Sequence, residues 1–128
     1  MLTKILAFAS VVEAATGLVL LVAPALVVQL LLGMEAAGVG VLLGRCFGIA
    51  LIALALACWP GRQRAESGSP AARAMLTYNL LVALYLAYLG TLHASGLLLG
   101  PAVVLHAAVA LFLIRAWYKE RRTIATRN

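Results

Sequence analysis

Polar chain is what this sequence has least of. Of 128 residues only 11% are Asp, Glu, Lys or Arg, and the acidic share is four residues, all glutamate. Soluble domains carry about 25% charged residues. The one clearly hydrophilic stretch is "GRQRAESGSPAA" at 61–72, which leaves almost no chain for a water-soluble domain.

Cysteine is nearly as scarce. Cys46 and Cys58 fall on one apolar run, and twelve residues of helix hold them about 18 Å apart, too far for a disulfide with each other. Their spacing fits no metal site, so both read as small buried side chains. HExxH, CxxC, a phosphate-binding glycine loop and any nucleophile–base–orienter set are missing as well. These absences predict no catalytic residue and no metal centre, and argue against autonomous enzymatic activity. Basic residues outnumber acidic ones to give a formal charge of +6, but they form no patch interleaved with aromatics, so nucleic acid is not an expected partner.

What is present is apolar: 65% of the residues are hydrophobic. A bilayer core of about 30 Å needs about 20 residues of apolar helix. Four runs have that length, at about 5–23, 40–59, 72–92 and 97–117. Short connections between them predict an all-α integral membrane protein, an up-down four-helix bundle in a single domain spanning 1–128. The lipid bilayer is its first partner. Lys4, Arg62, Arg64, Arg73, Arg115, Lys119, Arg121, Arg122 and Arg127 all fall on one side of such a threading. The positive-inside bias then puts both termini, the loop 60–71 and the basic tail 118–128 in the cytoplasm, and the protein in a bacterial inner membrane. A cleaved signal peptide fits less well, because Glu13 falls where a cleavage region is uncharged and the apolar run continues past it.

Pro24 ends the first span, and "ALVVQLLLG" after it is too short to cross again; it is expected as a kinked extension or a segment along the outer interface. Ser69 and Pro70 form an N-cap and first-turn pair for span three. Span four starts near Leu97 or at Pro101; the pattern allows either. Trp59 and Trp117 sit at interfacial depth.

Each span carries one conspicuously polar residue: Glu13, Arg45, Asn79 and His106. Such residues in membrane helices usually face the protein interior. Stripes of small residues run beside them: Ala9 and Gly17 around Glu13, Ala83 and Ala87 after Asn79, Ala102 and Ala110 around His106. Gly40, Gly44 and Gly48 form a tandem stripe with Arg45 at its flank. Small stripes let helices approach closely, so these positions are the expected packing seams. Counting along the helices puts Glu13, Arg45 and His106 in the middle of the bilayer and Asn79 nearer the cytoplasm, with Arg45 reaching toward Glu13 as its ion-pair partner. Tyr85, with Tyr78 and Tyr88, is expected to add hydroxyls to the same interior. A pair of this kind either clasps two helices or serves a site.

The four spans, Glu13 and Gly17 in "ExxxG", the break at Pro24 and "LGRCFG" opening span two resemble small DoxX-like four-helix bacterial membrane proteins. That resemblance implies the fold. Some DoxX-related proteins are associated with quinone-linked sulfur or oxidative-stress chemistry, but no catalytic motif carries over to this chain residue by residue. The leading expectation is a membrane protein whose polar interior binds a small hydrophobic ligand, a quinone or a lipid, or supports assembly with a membrane partner or a second copy. The alternatives are a subunit of a quinone-linked oxidoreductase and a small proton-coupled transporter. A bis-histidine haem is disfavoured, because His93 and His106 fall at different depths.

Overall fold

The computed structural model describes residues 1–61, 68–92 and 96–125. The described residues form five helices and no strand: α1 (Leu2–Val22), α2 (Pro24–Leu32), α3 (Val39–Cys58), α4 (Pro70–Thr91) and α5 (Leu99–Ala125). α1, α3, α4 and the Leu99–Lys119 part of α5 are long and apolar enough to cross a membrane. Leu18, Val22, Leu42, Leu56 and Val104 point outward, a surface that suits lipid far better than water. His93, Arg62, Arg64 and Arg127 lie outside the described residues.

The helix ends follow local chemistry. Pro24 lacks the N–H that would continue α1, and Ala23 leaves helical geometry (φ −134°, ψ 62°) while its own N–H still bonds Val19 O at 2.7 Å. Pro24 then opens α2 as a separate short helix, which is more than a kink in α1. Gly33 closes α2 in the left-handed conformation (φ 71°) that glycine adopts without strain. Ser69 Oγ accepts the Ala72 N–H at 3.3 Å and Pro70 is the first residue of α4. α5 begins at Leu99, so Pro101 stands in its first turn, where its missing N–H costs no helical bond.

α1 packs chiefly on α3, and α4 chiefly on α5; contact between the two pairs is sparse. The α1–α3 seam is built on glycine. A Cβ on Gly17 would stand 2.7 Å from the Gly48 carbonyl oxygen, and one on Gly48 would stand 2.6 Å from that of Gly17. Farther along, Gly44 faces Pro24 and Leu20. Gly40, expected in the same seam, meets only Ala36 at 3.8 Å and packs on no other helix. The cysteines divide as well. Cys58 is buried, with its thiol 3.5 Å from Ala71 O, but Cys46 is exposed, because twelve residues turn a helix about 120° beyond whole turns.

Near the chain start, Leu2, Leu6, Cys58, Met75 and Leu113 fill a continuous core. At the opposite end α2 contacts α1, α3 and α5. Leu98 N–H bonds Leu30 O at 2.8 Å, and Gly96 lies directly on the backbone of Leu30 and Leu31, where no side chain fits.

Candidate functional site

Three of the predicted polar residues meet between the helix pairs. Asn79 Nδ2 donates to Met75 O one turn earlier at 2.9 Å, which turns its Oδ1 toward α5. That oxygen lies 2.9 Å from His106 Nδ1. Glu13 Oε1 is 3.9 Å from the same nitrogen. Asn79 therefore sits level with His106, and its expected offset toward the cytoplasmic end is small. α4 begins at Pro70, so Asn79 is about 13 Å along it, close to the roughly 16 Å that separates Glu13 from the start of α1. Interhelical hydrogen bonds of this type contribute about 0.6 kcal/mol each in a membrane protein.

The fourth member is Tyr78, whose hydroxyl is in hydrogen-bond reach of the Glu13 carboxyl and whose ring meets the His106 ring edge-on at 5.8 Å. Tyr85 shares its face of α4 but stands two turns farther along, about 10 Å away, and is 60% exposed. Tyr88 is exposed too. Sequence reasoning preferred Tyr85; that Tyr78 adjoins Asn79 at the same depth was the signal for the correct tyrosine.

Arg45 does not join the cluster. It is exposed, and among the described residues no ion pair links it to Glu13. The reason is angular: Gly44 and Gly48 form the face of α3 turned to α1, and Arg45 is rotated about 100° from Gly44, off that seam. Glu13, 1% exposed, has the His106 imidazole as its neighbour instead. Its Oε2 and the hydroxyl of Ser10, one turn earlier, are buried without a hydrogen-bond partner among the described residues. Ser10 was passed over in the sequence, although the i, i+3 spacing from Glu13 places it on the same face.

Tyr78 and His106 form the floor of a cavity of about 790 Å³ that extends from the cluster toward α2. All five helices contribute to its lining, among them Val12 and Thr16 of α1, Leu31 of α2, Phe47 of α3, Val82 of α4 and Ala102 of α5. Phe47, Tyr85 and Val19 line it while remaining exposed, so it opens sideways between helices. No group of three or more metal-ligating side chains occurs among the described residues. Compared with protein-family models, curated proteins and solved structures, the chain has no match in any of the three.

Proposed function

We propose that this multi-pass membrane protein binds a small hydrophobic ligand in the cavity between its helix pairs, without catalysing a reaction of its own. The observation that carries the reading is the cavity: about 790 Å³, largely apolar in its walls, with Tyr78 and His106 at its floor and the hydroxyl-bearing Thr16 and Tyr85 along its sides. Pockets of this size and character are the usual form of small-molecule sites. The sideways opening suits a molecule that arrives from the lipid phase. In this reading the threading is up-down, with both termini on the cytoplasmic face of a bacterial inner membrane, as the distribution of Lys and Arg supports. An affinity with DoxX-like proteins, carried by Glu13, Gly17, Pro24 and "LGRCFG", belongs to the same proposal.

The test is mass spectrometry of small molecules co-purified from native membranes. One molecule class should accompany the wild-type chain in stoichiometric amount and be lost from Ala102→Phe, which fills the cavity from α5. Retention by that variant, or no bound molecule on the wild type, overturns the reading.

A second reading, assembly with another membrane chain, is favoured by Arg45, exposed on α3 about 9 Å from the helix start. A charge on a lipid-facing surface is met either by extending to the headgroups or by a partner carboxylate. Loss of a defined oligomer on Arg45→Leu in native electrophoresis supports the partner; an unchanged oligomeric state removes it.

A further inference from the structure

The floor of the cavity has a definite hydrogen-bond polarity. With Asn79 Nδ2 committed to Met75 O, the oxygen facing His106 can only accept, so His106 Nδ1 carries the proton and donates across the 2.9 Å contact. A neutral imidazole protonated on Nδ1 has Nε2 left for the cavity, and Nε2 is then an acceptor. The Tyr78 hydroxyl has the Glu13 carboxyl within reach as a place for its proton, and its phenolic oxygen is then a second acceptor. Both side chains line the cavity; Glu13 is not part of the lining and has its Oε1 3.9 Å from His106 Nδ1.

Glu13 adds charge to that polarity. No lysine or arginine is paired with it among the described residues, and Oε2 has no hydrogen-bond partner there. A buried carboxyl with only an imidazole beside it gains from a compensating cation, and the low dielectric of the site strengthens that attraction. A carbonyl or carboxylate head would instead set its lone pairs against those of His106 and Tyr78.

We propose that the ligand is a lipophilic amine bound as its ammonium. Its N–H groups are accepted by His106 Nε2 and the Tyr78 oxygen, its charge is compensated by Glu13, and its apolar body lies along Val12, Val82 and Phe47. The assignment rests on the cavity being a binding site and narrows what that site takes. An alcohol of the same shape satisfies an acceptor without compensating the carboxyl, so it ranks second.

The experiment uses the full chain in lipid nanodiscs, with empty nanodiscs correcting for partition. One phenylbutyl body is presented with four heads: primary ammonium, hydroxyl, methyl ketone and carboxylate. Calorimetry should find the ammonium bound about tenfold more tightly than the ketone, with the carboxylate weakest. Glu13→Gln, nearly the same shape, should remove the ammonium's advantage over the alcohol and leave alcohol binding unchanged. Tyr78→Phe, which keeps the ring, should weaken ammonium and alcohol but not ketone, and it tests the floor independently if Glu13→Gln does not fold. A ketone or carboxylate bound as tightly as the ammonium overturns the proposal, as does an ammonium preference that survives both variants. Equal binding of all four heads overturns the head-group assignment alone; binding of none overturns the cavity reading with it.

Discussion

Around Leu6, Cys58 and Met75 the helices bury their side chains against one another, whereas beyond Glu13 the same helices enclose about 790 Å³. Both regions are apolar, so hydrophobicity does not separate them. Position along the bundle does. In the first region side chains of α1, α3, α4 and α5 meet; in the second, large and small side chains of all five helices, Leu43, Phe47 and Leu105 with Ala15, Gly44 and Ala102 among them, border the space without filling it. The Pro24 break then turns the chain into α2, whose Val28 and Leu31 border the cavity at its far end. One region holds the assembly together, and the other is left room to hold something else.

That contrast can be broken most forcefully at the α1–α3 seam. Gly48→Leu should cost about 3 kcal/mol in detergent unfolding, because its Cβ alone would stand 2.6 Å from a backbone oxygen that a side-chain rotation cannot move. Gly40→Leu, on the cavity side with only Ala36 near it, should stay within about 0.5 kcal/mol of the wild type. Equal losses would mean that the seam does not end where the cavity begins.

Leu6→Ala in the packed region should cost about 2 kcal/mol. The value is at the low end because lipid tails are as apolar as leucine, so chiefly the packing part of the cost remains. Val82→Ala, already facing open space, should cost less than half of that when measured in the same titration. If both lose the same amount, the cavity region is as tightly packed as the core.

The polar cluster at the boundary predicts smaller effects. Asn79→Ala and His106→Ala should each destabilise by about 1 kcal/mol, and the double variant by less than their sum, since they share the 2.9 Å bond. Glu13→Gln combined with Arg45→Gln should be additive, and Arg45→Gln alone should change stability by no more than about 0.5 kcal/mol. Coupling in the second cycle would return Arg45 to the interior.

Much of the fold was legible because its signals are local. Pro24, Gly33, Ser69 with Pro70, and Trp59 before Pro60 each mark a helix end by what their own backbone does. Glu13, Asn79 and His106 were legible as interior residues because polar groups seek protein partners in an apolar setting. Arg45 was misread for the same reason: its long side chain tolerates an outward position that shorter polar groups do not. Tyr78 and Ser10 were underweighted because helical spacing identifies a face, and only the level of the neighbouring helices says which residue on that face meets a partner.

By itself the sequence determined that four helices suit a membrane and that breaks fall at Pro24 and at Ser69 with Pro70, since length, hydropathy and the conformational limits of proline act within a few residues. The tertiary structure alone decided that Glu13 meets His106 and Tyr78, that Arg45 turns outward, and that side chains of all five helices border a cavity they do not fill. Those outcomes depend on rotation and axial register between helices, and both are set by close contacts such as Gly17 on Gly48, which join residues far apart along the chain.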